Sequence, residues 1–194
     1  MLQAGITGGI GSGKTMVSRM FQCLGIPVYD ADSHAKNLMT TDVNLRNAIE
    51  AEFGSLSYTA EGLLNREYLA STVFPDPEKL HRLNQLVHPA VARDYQRWVE
   101  DQMKWSPPYV LKEAALLLSA GTFSGKVIVV TAPMDIRLTR VAGRDKRTEK
   151  EIRQIMDRQM TKEQMLDRAD FVVTNDGRQA LIPQVLYIHE LLSR

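Results

Sequence analysis

Residues 1–22 read "MLQAGITGGIGSGKTMVSRMFQ", and Gly8–Thr15 within them spell G-G-I-G-S-G-K-T. An apolar run, Leu2–Thr7, enters this turn; Met16, Val17, Met20, Phe21 and Leu24 leave it at helical spacing. Gly25 is placed to end that helix. Strand, glycine-rich turn closing on Lys-Thr, then helix is the pattern of a phosphate-binding loop. The glycines let the backbone turn tightly and bring its N–H groups up to a polyphosphate. The helix points its positive dipole end at the same anion. Lys14 supplies charge for the β and γ phosphates, and Thr15 a hydroxyl for Mg2+. Gly9, Ile10, Gly11, Ser12, Gly13, Lys14 and Thr15 are therefore the candidate nucleotide-binding residues, and Thr15 is the candidate metal ligand.

Outward from the loop, further strands are expected at Ile26-Pro27-Val28-Tyr29, at "YVLK" from Tyr109, at "KVIVVTA" from Lys126 and at "DFVVTN" from Asp170. Strands alternating with helices predict an α/β fold of the P-loop NTPase type: a five-stranded parallel sheet flanked by helices. Right-handed crossovers place all the strand ends on one edge. Two segments break the alternation. Residues 62–106 are helical without a strand, with Leu83, Leu86, Val87, Val91, Tyr95, Trp98 and Val99 at apolar positions, and are expected to form an acceptor-binding insert. Residues 143–162 are a charged arm in which Thr148 and Glu151 have capping-box spacing, and are expected to act as a lid. The remainder is nucleotide-binding core, so residues 1–194 read as a single kinase unit. A last helix is expected over roughly 179–192, with Pro183 in its first turn because an interior proline would cost about 3 kcal/mol.

The chain has 194 residues, 44% of them hydrophobic and 24% charged, the balance of an ordinary globular protein. A formal net charge of +1 calls for neither nucleic acid nor an anionic membrane. No stretch approaches the roughly 20 apolar residues of a membrane span. Cys23 is the only cysteine, which rules out an internal disulfide and a Cys-rich metal site. Its place on the apolar first helix predicts a small core residue. With no basic-then-apolar leader before the first strand, a cytoplasmic protein is expected, as monomer or weak homo-oligomer.

Phosphate loops serve switches, motors and phosphoryl-transfer enzymes. A GTPase needs Asp-x-x-Gly and Asn-Lys-x-Asp; no Asp here is followed three places on by Gly, and no Asn by Lys. A motor usually shows a strand ending in an acidic pair, whereas "KVIVVTAPMD" ends its strand without acid and "YVLKEAALLL" offers only Glu113. A small phosphoryl-transfer enzyme remains. It needs a group to orient the acceptor and positive charge for the transition state. Asp30 and Asp32, in "DAD" after the second strand, answer the first need in one of two ways: one faces the site while the other caps the next helix, or both cap. Arg137, Arg140, Arg144 and the other cations up to Arg168 answer the second, although interleaved acids make most of them a solvated helix surface.

"GITGGIGSGKT", "LGIPVYDAD", "LNQLVHPAV", "VIVVTAPMDIRLTRVAGRD", "RQM" and "ADFVVTNDG" resemble, in order and spacing from Gly5 to Gly177, the dephospho-coenzyme A kinase family. The resemblance implies transfer of the ATP γ-phosphoryl group to the ribose 3′-hydroxyl of dephospho-CoA, the last step of coenzyme A synthesis. It makes Asp32 the catalytic base and has Gly8–Thr15 bind ATP and Mg2+. Lys14 and Arg140 then act on the migrating phosphoryl group, with Arg140 and Arg144 approaching phosphates and adenine, and Asn175 passing the adenine ring. The insert around residues 83–98 would hold the pantetheine-bearing substrate; His88 belongs to its motif, although a lone histidine in a helix is more often structural. Ser119 departs from the family, which commonly carries glutamate there. That departure leaves two rival readings: a kinase of similar build acting on nucleoside monophosphates or another small molecule, and an ATP-binding paralogue without turnover.

Overall fold

The computed structural model describes residues 1–118 and 123–194; Ser119 lies outside the described residues. Its sheet contains β1 (Leu2–Thr7), β2 (Val28–Asp30), β3 (Tyr109–Glu113), β4 (Lys126–Thr131) and β5 (Phe171–Thr174), in the order β2-β3-β1-β4-β5 with every pair parallel. All five strands expected from the apolar runs are present. β1 is central, and it delivers the chain straight into the phosphate loop. Ile6 pairs in register with Glu113 on one side and Ile128 on the other, so the loop leaves from the middle of the sheet edge.

One face of the sheet buries Ala4, Ile6, Leu111, Ile128 and Val173 against α1 (Lys14–Cys23) and α9 (Leu181–Leu192). Val17 and Phe21 come from α1, and Val185, Ile188 and Leu192 from α9. Each fully buried side chain of this size contributes about 1.5–3 kcal/mol. Phe21 meets the edge of the Tyr109 ring at 6.4 Å between centroids, and the buried Tyr109 hydroxyl is hydrogen-bonded to His189 Nδ1 at 2.8 Å. Pro183 is the third residue of α9, inside the first turn, where its missing N–H has no intrahelical role. The other face buries Val127 and Val129 under Leu118 and Met165.

Cys23 is exposed, contrary to the expectation of a core position. Val17, Ser18 and Phe21 carry the buried stripe of α1, and a residue two places beyond Phe21 lies about 200° round the helix. Leu24 closes the helix and Gly25 follows at φ +81°, as its place in the sequence suggested.

The chain forms two compact units, Met1–Asp30 with Asp101–Arg194, and Ala31–Glu100. The first holds the sheet, α1 and α9, together with α6 (Met134–Asp145), α7 (Glu149–Asp157) and α8 (Lys162–Leu166). The second is helical: α2 (Ala31–Thr41), α3 (Val43–Phe53), α4 (Arg66–Val73) and all but the last residues of α5 (Pro77–Met103). Asp42 caps α3, accepting from the N–H groups of Asn44 and Leu45, and Asn65 caps α4. The Tyr58 hydroxyl donates to the Met39 carbonyl at 2.8 Å, and the Arg46 guanidinium lies 4.9 Å over its ring. His88 and Pro89 fall inside α5, where Pro89 leaves the helix one N–H short. No helix among the described residues is long and apolar enough to cross a membrane.

Candidate active site

The phosphate loop is best understood by asking where its carbonyls go. Gly8 O accepts from Lys14 Nζ at 2.8 Å, and Gly9 O accepts from the Ser12 N–H at 3.1 Å. Ile10 O accepts from Arg137 Nε at 2.9 Å, Gly11 O from Arg140 Nη1 at 3.5 Å, and Ser12 O from Asn175 Nδ2 at 2.8 Å. Each carbonyl from Gly8 to Ser12 is therefore occupied from within the protein. A loop whose carbonyls are drawn away presents its remaining amides to an anion without reorganisation.

Two elements supply most of these donors. Asn175 follows β5 directly, and its own N–H bonds the Thr131 carbonyl at the end of β4. Arg140 reaches from α6 and also donates to Asn175, through Nη2 to Oδ1 at 3.1 Å and through Nη1 to the backbone O at 3.3 Å. Asn175 is thus acceptor to Arg140 and donor to the loop. Gly13, at φ +97°, opens α1 with no side-chain cap, and a Cβ there would run into the Asn175 amide. No acid sits in the first turn of α1, which leaves that dipole end to an external anion. Ser12 Oγ is buried without a partner among the described residues and borders a cavity of about 30 Å³, the volume of one water.

Thr15 Oγ1 donates to Glu113 Oε1 at 2.7 Å. Glu113 is the last residue of β3 and only 8% exposed, so its carboxylate and the Thr15 hydroxyl are fixed in place beside the loop. The donated proton leaves the Thr15 oxygen with lone pairs for a cation, as the Mg2+ expectation requires.

Arg144 does not join this cluster. It is exposed, and its Nε and Nη2 donate to Asp145 at 2.6 and 2.9 Å. That pairing raises the Arg144 pKa and holds the Asp145 carboxyl below its usual range. Burial lowers the pKa of Arg137, whose guanidinium lies against the loop. In the arm, Thr148 and Glu151 form the reciprocal capping box that their spacing suggested. Asp30 closes β2, and Asp32 is exposed in the first turn of α2, where the helix dipole favours an acid.

Two contacts were not legible in the sequence, and a third only in part. Glu113 stood out as the acid that could take over from the glutamate missing at position 119, but its bond to Thr15 was not foreseen; its signal was position, at the end of the strand beside the loop-bearing strand. Arg137 stood undistinguished among the arm cations. Gln159, which accepts from the Ile10 N–H at 2.9 Å, carried no signal beyond its place in "RQM".

A family model described as dephospho-CoA kinase matches residues 2–180. A dephospho-CoA kinase of Porphyromonas gingivalis is 39% identical over 194 residues, covering 98% of this chain and 94% of that protein. One from Bacteroides fragilis is 34% identical over 188 residues, covering 95% of this chain and 90% of its own. A crystal structure of a Thermus thermophilus protein superposes with a TM-score of 0.83 at 31% identity, covering 98% of this chain and 96% of that one. The chain belongs to the dephospho-CoA kinase family of ATP-dependent kinases.

Proposed function

We propose that Lys14, Thr15, Glu113 and Asp32 divide the work of the family's reaction, in which the γ-phosphoryl group of ATP passes to the ribose 3′-hydroxyl of dephospho-CoA. The observation that carries this division is the clamped loop: with the carbonyls of Gly8–Ser12 occupied, the loop is set to receive phosphate at the start of α1, beside the Lys14 ammonium that Gly8 O holds in place.

In the transfer, the bond from the γ-phosphorus to the ADP oxygen breaks as the bond to the 3′-oxygen forms. The hydroxyl proton passes to Asp32 and then to solvent. A carboxylate suffices for this, because a loose transition state needs little proton abstraction early. Lys14 offsets charge on the migrating group. Arg140 acts on it by holding Gly11 and Asn175, and Arg144 is the cation available to the nucleotide once it leaves Asp145. Asn175 fixes the loop beside the adenine. Mg2+ arriving on the nucleotide would neutralise phosphate oxygens, with Thr15 as the protein ligand and Glu113 holding its hydroxyl.

Residues 62–106 take the acceptor and 143–162 act as the lid that keeps water from competing with it. The setting is cytoplasmic, the protein a monomer or weak homo-oligomer, and no nucleic acid takes part. The test is mass-detected turnover of Mg-ATP and dephospho-CoA by the wild type, Lys14→Ala and Asp32→Asn. Product heavier by one phosphoryl group, reduced about 10²–10³-fold in each variant, is the expected result. A variant matching the wild type removes that residue from the chemistry.

A further inference from the structure

Ile10 in the loop is gripped on both sides by side chains. Its carbonyl accepts from Arg137 Nε and its N–H donates to Gln159 Oε1, each at 2.9 Å. Gln159 is half-buried in the short neck between α7 and α8, at the end of the charged arm. Its own backbone is fixed, since its N–H bonds the Met156 carbonyl at 3.0 Å at the end of α7. The close approach of Arg137 is built into the loop as well: a Cβ at Gly9 would strike its guanidinium.

We propose that Gln159 is a positioning residue for ATP, a neutral tether that sets the Gly9–Ile10 peptide and links the end of the arm to the phosphate loop. The residue type suits the task. A glutamine oxygen accepts from an amide without adding negative charge beside a polyphosphate, which a glutamate in the same place would do. Gln159 holds the Gly9–Ile10 peptide through its N–H and Arg137 holds the Ile10–Gly11 peptide through its carbonyl, so the two planes that flank the Ile10 Cα are both set. With those planes set, Gly11 and the residues after it enter α1 in the geometry that phosphate requires. Movement of the neck is then felt at the loop, and a filled loop steadies the neck.

The inference rests on Gly8–Thr15 receiving the phosphates of ATP, and wild-type turnover tests that reading separately. The tether itself is tested without substrate, by hydrogen exchange at the Ile10 amide in wild type, Gln159→Ala and Gln159→Glu. Exchange should be slow in the wild type and the glutamate variant, which both offer an acceptor, and at least about tenfold faster in the alanine variant. Steady-state kinetics add a readout that simple loss of folded protein would not move. Gln159→Ala should raise KM for ATP about five- to tenfold and leave KM for dephospho-CoA unchanged. Gln159→Glu should also raise KM for ATP, by repulsion that weakens as salt is added. Ile10 exchange unchanged in Gln159→Ala, or a fall in kcat alone with KM for ATP intact, would overturn the proposal.

Discussion

Residues 8–15 and residues 144–161 are both short polar stretches rich in groups that need partners, and they find them in opposite ways. The loop is held by side chains from far along the chain: Arg137 on Ile10 across 127 positions, Asn175 on Ser12 across 163. The exposed face of the arm is held by its own neighbours, Arg144 on Asp145, Thr148 with Glu151, and Arg153 on Glu149 at four residues' distance, and only its end reaches the loop, through Gln159. Local pairs on an exposed helix are worth little each and survive or fail without the rest of the fold. Bonds that span the sheet exist only when the sheet does. The loop therefore shares the stability of the whole unit, while the local pairs on the exposed face of the arm can be lost at low cost.

Substitutions at the two regions should separate accordingly. The largest effect is expected at the pair that serves phosphate and metal: Thr15→Val should lower kcat about 10²–10³-fold and Glu113→Gln about tenfold, since Gln keeps an acceptor for the Thr15 hydroxyl but not its charge. If Thr15→Val turns over like the wild type, the Thr15–Glu113 pair is structural only. Next comes Asp170, which joins the starts of β4 and β5 by accepting from Lys126 Nζ at 2.7 Å and from the Val127 N–H at 2.8 Å. The hydrogen bond from Lys126 is the main reason its carboxyl sits below the usual range. Its folded pKa is depressed, so the stabilisation is complete above the unfolded value near 3.9 and is lost as pH falls through the folded one. Asp170→Asn should lower Tm by about 2–3 °C at pH 7, and the gap should close in acid; a gap that is independent of pH contradicts the ion pair. The smallest effect belongs to the arm. Arg153→Ala should leave Tm within about 2 °C and turnover unchanged, and a larger loss would mean that the arm is not locally held.

The same contrast explains what could be read before the structure. The strands, the ends of α1 and the capping box at Thr148 depend on residues adjacent in sequence, and apolar runs, Gly25 and the Thr–Glu spacing announced them. The resemblance pointed to Arg140 and Asn175 but gave them to phosphate and adenine; their visible bonds are to the loop itself and to each other. The contacts of Glu113, Arg137 and Gln159 were obscure for a physical reason, even though Glu113 itself stood out. Each acts on a residue brought near only by the crossover of the chain, and no local pattern records that meeting. Cys23 failed differently, because the helix on which it stands is apolar in content but turns that one position outward.

The most direct test of a loop shaped from a distance is the affinity of Asn175→Ala for Mg-ATP, measured by calorimetry against the wild type. Asn175 is buried and bonds both Ser12 and Arg140, so its loss removes one donor from the loop and one acceptor from its neighbour. Binding about tenfold weaker or more, in a protein whose Tm still shows a folded sheet, is the result a clamped loop predicts. Unchanged affinity would mean that the loop holds its own shape, and that the side chains gathered on its carbonyls are bystanders.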